Sequence, residues 1–428
     1  IMNRFSKKIF FINGCRTPFQ ASGTGFKNLD CYELGSKALN GLICKFNHDI
    51  KNNLDYLVMG NVIQDSKTSN IARESMLVSG FNKNIPSYTV TMACISSNKS
   101  ITDGVNLINA NQASSVIAGG AETMTDLPIK LSKKLRLMLF ESRKWKTFGS
   151  KLSGLSKLKL KDFGLETPSI TEFSTNETMG YSADKLAEVW NVSREEQDEF
   201  ALRSHKSASS ALKNNLLTDV INTSTEKSLI LEDNIIKHNT NTDKLIKLKP
   251  VFRKDIGTIT AGNASSLTDG ASACLLANEE YVQKFNLSPK VEIIDYIYTG
   301  CDPNNELLLG PAYSVSKLLE KNNLKINDFD VFEIHEAFAG QVLANLNALN
   351  SDKFKDENNL KEKIGLIPID KLNNWGGSLS LGHPFAATGV RLLNHMSNRL
   401  IHENGELGLI ASCAAGGLGH AMIVKRCN

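Results

Sequence analysis

Val116-Ile117-Ala118-Gly119-Gly120-Ala121 and Leu409-Ile410-Ala411-Ser412-Cys413-Ala414 are one pattern written twice, a short apolar run that closes on small residues. A run of this length without polar alternation suits a strand buried on both faces. A second echo lies upstream of each. Asp55-Tyr56-Leu57-Val58 leads into Gly60-Asn61-Val62, and Asp328-Phe329-Asp330-Val331-Phe332 leads into Glu333-Ile334-His335. Strand-then-glycine is common in α/β proteins, so each echo alone is weak. Their shared order predicts a duplicated α/β unit.

Outward from these runs the alternation continues. Ile9–Ile12, Tyr56–Met59, Tyr88–Met92 and Ser115–Ala118 read as strands, with helices at Leu34–Leu42 and Ala72–Leu77. From Val291 the pattern resumes with strands at Val291–Tyr298, Val331–Ile334 and Leu407–Ser412, and helices at Val315–Leu324 and Ala337–Leu349. Such alternation is the signature of an α/β fold. Between the halves, from Pro128 to Pro250, the character changes. Lys133, Lys134, Arg136, Lys144 and Lys146 surround Leu137, Phe140, Trp145 and Phe148, and Glu141 is the one acid of that stretch. A basic amphipathic helix of this kind fits an anionic membrane surface or a partner, or packs on its own domain with its charges solvated. Further on, Ser193 with Glu195 and Glu196 starts a helix that runs to about Leu212.

Bulk properties narrow the class. The 428 residues are 41% hydrophobic and 22% charged, as expected of a soluble globular chain with a large core. A net charge of +4 is too mild to imply nucleic acid, though it suits an anionic substrate. The 8 cysteines show no CxxC pair, so neither a disulfide framework nor a zinc site is expected. No apolar run reaches the roughly 18 residues that span a bilayer. Ile1–Lys8 is too short for a signal peptide, and a targeting segment removed ahead of it is compatible with the sequence.

Four segments carry reactive side chains. In Thr91-Met92-Ala93-Cys94-Ile95-Ser96-Ser97 a strand-like run ends at a cysteine and a helix follows. That junction favours a thiolate through the helix dipole, the alternative being a small core cysteine. Asn374–Gly389 is too rich in glycine for a plain helix or strand. It holds His383 before Pro384 and enters a helix near Thr388. A histidine braced in this way can act as base toward a thiol, or simply cap a neighbour. Ser412-Cys413-Ala414-Ala415-Gly416-Gly417 ends a strand at a second cysteine, with backbone N–H groups able to hold an oxyanion or only to turn the chain. Glu333-Ile334-His335-Glu336-Ala337-Phe338 lacks the HExxH spacing of a zinc protease, and its histidine otherwise caps a helix.

Together these segments resemble the thiolase family, over nearly the whole chain. Cys94-Ile95-Ser96-Ser97, His335-Glu336-Ala337-Phe338, Gly382-His383-Pro384 with Thr388-Gly389, and Cys413-Ala414-Ala415-Gly416-Gly417 match its motifs, and Thr258–Ala271 looks like its coenzyme A-side segment. Histidine at 335, where most thiolases have asparagine, is similar to the branch of β-subunits found in mitochondrial trifunctional complexes and their bacterial counterparts. Ala386 stands where the family usually has glycine, which predicts a slightly altered turn.

The resemblance implies a duplicated five-layer αβαβα fold. Residues 1–128 plus 251–285 would form the N-terminal half, 129–250 an inserted loop domain and 286–428 the C-terminal half. It implies cleavage of 3-ketoacyl-CoA by coenzyme A in fatty acid β-oxidation through acyl-Cys94. His383 would be the base and Cys413 the second acid/base. His335 and His383 would form one oxyanion hole, and the N–H groups of Cys94 and Ala415 the other. Gly262, Ala264 and Ser265 would touch coenzyme A, a substrate, and no metal or other cofactor is implied. A homodimer or larger assembly is implied, with a hydratase/hydroxyacyl-CoA dehydrogenase α-subunit as partner, membrane-surface contact through 130–160 and a mitochondrial location. An acetoacetyl-CoA thiolase working in the synthetic direction and a non-enzymatic acyl-CoA-binding subunit are the alternatives. A decarboxylating ketoacyl synthase would lack the second reactive cysteine at 413.

Overall fold

The computed structural model describes residues 4–169 and 171–427. The first half runs β1 (Ile9–Arg16), α1 (Cys31–Ile43), β2 (Tyr56–Gly60), α2 (Ile71–Val78), β3 (Ser87–Val90), α3 (Ser96–Asn109) and β4 (Ser115–Glu122). An insertion with α4 (Lys133–Ser142), α5 (Phe148–Leu155), α6 (Met179–Val189) and α7 (Arg194–Lys213) precedes the closing strand β5 (Thr268–Asn278). The second half runs β6 (Val291–Gly300), α8 (Gly310–Asn322), β7 (Val331–Ile334), α9 (Ala339–Leu349), α10 (Thr388–His402), β8 (Leu407–Ala414) and β9 (Leu418–Arg426).

The strands form one ladder, β7-β8-β9-β6-β1-β5-β4-β2-β3, whose two halves meet only where Phe10 faces Glu292 and Phe11 faces Val291. Each half has the same order: first strand, last, fourth, second, third. In the first half β2 pairs in parallel with β3 and β4, while β5 is antiparallel to β4 and β1. In the second, β7 is parallel to β8, and β9 is antiparallel to β8 and β6. Its third strand has shrunk to one parallel bridge between Phe332 and Leu372. The echoed aspartates do the same work in both halves. Asp55 accepts the N–H groups of Ser114 and Ser115 at the start of β4, and Asp330 those of Glu406 and Leu407 at the start of β8.

The core explains why the strands are apolar throughout. Ile117 and Ala121 of β4 face α1 and α2, while Val116 and Ala118 face α3 and α10. In β8, Leu409 and Ala411 pack with α8 and α9, and Ile410 turns to the α3/α10 side. Both halves of the sheet are thus covered on both faces, giving five layers with α3 and α10 in the middle. The insertion joins the second half: Ala183, Leu186 and Phe200 belong to the same cluster as α8 and α9. Its α7 starts on a capping box, with the Glu196 N–H bound to Ser193 Oγ and the Ser193 N–H bound to the Glu196 carboxylate.

The single basic amphipathic helix read from the sequence is corrected. The chain forms two short helices, α4 and α5, broken between Arg143 and Thr147. Among the described residues no helix is long and apolar enough to cross a membrane.

Candidate active site

The two central helices begin side by side. Cys94 lies in the turn leading into α3, and His383 in the turn leading into α10. The Val390 N–H bonds Ser97 Oγ at 3.3 Å, and the space at Gly389 is filled by Asn98. Ala93, just before the cysteine, has φ +46; the other non-glycine residues with positive φ, among those described, are all asparagine. That left-handed turn costs alanine roughly 1–2 kcal/mol. Ser96 holds it, donating its hydroxyl to the Ala93 carbonyl and accepting the Met92 N–H.

The His383 loop is fixed from three sides. The His383 N–H donates to Thr268 Oγ1 at 2.7 Å, Ser272 Oγ donates to the Ala387 carbonyl, and the Ala386 carbonyl lies over Gly120. Ala386 is fully buried but not left-handed, so the altered turn expected from alanine there is not needed. Its N–H reaches the buried Glu122 carboxyl, which also receives the N–H groups of Val62 and Ile63. Burial raises that carboxyl to about 8 despite these bonds.

The other two residues come from strand ends in the second half. His335 follows β7, its N–H bound to the Ala411 carbonyl of β8 at 2.9 Å, and Cys413 sits near the end of β8. His335 and His383 lie ring against ring, with centroids 4.2 Å apart. Their Nε2 atoms are both buried and both without a hydrogen-bond partner. The paired rings thus bring two unpartnered ring nitrogens into one buried place. The Ala415 N–H bonds the Cys94 thiol, and Cys94 in turn acts electrostatically on Cys413. The two cysteines therefore meet across the start of α3 and the end of β8, the two histidines across the end of β7 and the start of α10, and the Ser97–Val390 bond joins the two helix starts.

Charge states follow from enclosure. Burial pushes the Cys94 thiol up to about 12, with the N–H groups of Ala415 and of Cys94 itself pulling the other way. The thiolate favoured by the helix dipole is thus not the resting form, because desolvation wins. Cys413 is held well above the usual thiol value by burial and then by Cys94. Burial followed by Arg391 lowers His383 to about 3, and burial followed by His383 holds His335 well below the usual histidine value. The resting site is two thiols and two neutral imidazoles.

This has a consequence for stability. His383, His395 and His420 are lowered to about 3, and His205 to about 4, mainly by burial. Unfolded histidine titrates near 6.5, so below that pH the unfolded chain binds more protons and the folded state loses stability. Glu122 opposes weakly, losing stability as pH rises from 4.5 toward 8. The midpoint of thermal unfolding is expected to be highest above pH 6.5 and to fall steeply toward pH 4. A midpoint flat across that window would contradict four neutral buried rings.

The Thr258–Ala271 segment lies beside the chain that follows His335. The Ser265 N–H bonds the Ala337 carbonyl, Ala264 bridges Phe338, and the Ala339 N–H bonds the Asn263 carbonyl. Gly262, Ala264 and Ser265 are all half-buried, at the edge of the enclosed pair. Several site residues carried no sequence signal. Glu336 is buried and accepts from Ser204, Asn373 and the Leu379 N–H, tying the inserted α7 to the His335 and His383 loops. Ser378 and Arg391 connect to His335, and Thr388 to His383. Glu336, Ser378 and Thr388 lay inside quoted segments, but nothing in their spacing marks them. A surface cleft lined by Asn323, Lys325, Lys361 and Lys363 holds none of these groups.

Comparison with known proteins agrees with this geometry. Residues 9–280 match the family described as Thiolase, N-terminal domain, and residues 287–426 match Thiolase, C-terminal domain. The chain is 50% identical to the mitochondrial trifunctional enzyme subunit beta of Bos taurus, over 98% of this chain and 88% of that one. It is 48% identical to a probable 3-ketoacyl-CoA thiolase of Caenorhabditis elegans, over 97% and 94%. The crystal structure of human mitochondrial 3-ketoacyl-CoA thiolase superposes with a TM-score of 0.82 at 31% identity, covering 98% of this chain and 99% of that one.

Proposed function

The chain belongs to the thiolase family, and from that premise we propose that it is a 3-ketoacyl-CoA thiolase, an acyltransferase of fatty acid β-oxidation. The observation that carries this reading is the tilted pair of histidines with buried, unpartnered Nε2 atoms, His383 being on a loop tied by the Ser97–Val390 bond to the helix start that carries Cys94.

The mechanism uses the neutral resting state. His383 Nε2 takes the Cys94 proton as the sulfur attacks the 3-keto carbon, so charge separates only as the bond forms. The Nε2–H groups of His335 and of the now protonated His383 receive the oxyanion. Collapse breaks the C2–C3 bond, and the acetyl-CoA carbanion takes the Cys413 proton. Burial suits that step, since it keeps Cys413 a thiol. The Cys413 thiolate then deprotonates incoming coenzyme A. Its sulfur attacks acyl-Cys94, and the N–H groups of Cys94 and Ala415 hold the second oxyanion. Cys94 leaves as thiolate and recovers its proton from His383. No metal or redox group is required by these steps, and coenzyme A enters as substrate.

Gly262, Ala264 and Ser265 would line the pantetheine arm, under an inserted domain spanning 129–250. That insertion already braces the site through Ser204. Coenzyme A-dependent cleavage measured across short, medium and long 3-ketoacyl-CoA tests the reading, and absence of cleavage at every length, with a hydratase/hydroxyacyl-CoA dehydrogenase α-subunit added, would sink it. The beta-subunit relatives support an assembly with such a partner, and their mitochondrial names a mitochondrial location.

Residues 130–160 are proposed to meet an anionic membrane surface. Phe140 is 63% exposed, Phe148 82% and Leu160 92%, beside exposed Lys144 and Lys146. Lys134 and Arg136 are poor probes, being paired with Asp162 and Glu166. Each basic residue near an anionic surface contributes about 1 kcal/mol, so reversing Lys144 and Lys146 to glutamate is expected to weaken binding to anionic vesicles by ~30-fold or more. Unchanged co-sedimentation would assign this face to a protein partner instead.

A further inference from the structure

The Ser378 hydroxyl has two buried partners, Arg391 Nη2 at 2.9 Å and His335 Nδ1 at 3.0 Å. A guanidinium only donates. The arginine bond therefore uses a lone pair of the serine oxygen, and the single serine proton goes to the other partner. Among the described residues His335 Nδ1 is the one acceptor bonded to that hydroxyl, which favours the neutral ring that carries its own proton on Nε2. That is the atom buried without a partner where the ring faces His383.

His383 is held the other way. Its Nδ1 lies 2.7 Å from Thr388 Oγ1, whose proton has the Pro384 carbonyl as acceptor at 3.1 Å. The threonine oxygen is open to accept from Nδ1–H, which leaves the lone pair on Nε2. Arg391 is itself anchored: Glu333 of β7 lies 3.7 Å from its Nη1, and Arg399 holds that glutamate at 2.7 Å.

We propose that Ser378, oriented by Arg391, is a positioning residue that locks His335 as its Nε2–H tautomer, so that the paired histidines offer the substrate one proton and one lone pair. Two neutral imidazoles with free Nδ1 atoms would interconvert. A His335 ring protonated on Nδ1 would aim a lone pair at the forming oxyanion and repel it. Burial and the nearby Arg391 charge keep His335 from the doubly protonated form, in which the distinction would vanish. The catalytic consequence rests on the thiolase reading, whereas the tautomer does not.

The test is nitrogen NMR of the full chain labelled with 15N-histidine, with His335 assigned through His335→Asn, alongside cleavage kinetics. The wild type is expected to show His335 protonated on Nε2 with Nδ1 as acceptor. Ser378→Ala should shift His335 toward Nδ1–H and lower kcat by roughly 10- to 100-fold with little change in KM, as loss of one oriented donor does. Its rate of Cys94 alkylation by iodoacetamide, which depends on His383, should hold. Ser378→Thr keeps the hydroxyl and should restore both spectrum and kcat; with the wild-type spectrum it decides the matter if the alanine variant misfolds. A wild-type His335 protonated on Nδ1, or a slow Ser378→Ala enzyme whose His335 keeps Nε2–H, would overturn the proposal. A wild type that cleaves nothing even with the α-subunit added would refute the thiolase reading and leave the spectrum to decide the tautomer.

Discussion

Cys94→Ala is expected to lower coenzyme A-dependent cleavage of 3-ketoacyl-CoA by on the order of 10⁴-fold or more, the scale seen when a covalent nucleophile is removed. No other group can take its place. Cys413 is held as a thiol by burial, and in the proposed mechanism its sulfur would serve the carbanion and the incoming coenzyme A. The fold should survive, because Cys94 is only partly buried as a residue and the turn is held by Ser96 rather than by the sulfur. Steady-state cleavage together with a mass shift for acyl-enzyme checks both steps. Residual activity within a hundredfold of wild type would move the nucleophile elsewhere.

Gly120→Ala should damage the site without touching a reacting atom. A Cβ at that position would lie 1.7 Å from the Ala386 carbonyl oxygen and 2.6 Å from its carbon. Both are backbone atoms, so no side chain can swing aside and the loop that carries His383 must shift. Displacements of this size in a catalytic group are expected to cost ~100-fold or more in kcat. Overpacking at a buried strand should also cost about 1–3 kcal/mol, lowering the unfolding midpoint by several degrees. Gly149→Ala is the control, since nothing lies within 4 Å of a Cβ built there. Wild-type kinetics in Gly120→Ala would mean that the His383 loop is not held by this contact.

The duplication was legible because buried strands leave a dense apolar record. Val331–Ile334 is a strand with the limits read from the sequence, and the echoed aspartates cap equivalent strands. Cys94, His383 and Cys413 could be placed at strand and helix ends from the sequence, where the structure also has them. The brace around them was not. Ser378, Thr388 and Glu336 act through single hydrogen bonds to residues distant in the chain, and such bonds leave no period or spacing. The state of the Cys94 sulfur was misjudged for a related reason. A helix start is visible in a sequence, while the burial that outweighs it depends on both halves closing over the turn.

The two central helices occupy equivalent places in the halves, and the turn before one carries Cys94 while the turn before the other carries His383. A symmetric ancestor made of two identical copies would have placed the same residue in both turns, two cysteines or two histidines. Proton exchange between unlike groups needs them to differ. Because both copies lie in one chain, each turn can carry its own residue, and the centre of the molecule is asymmetric although its two halves share one strand order.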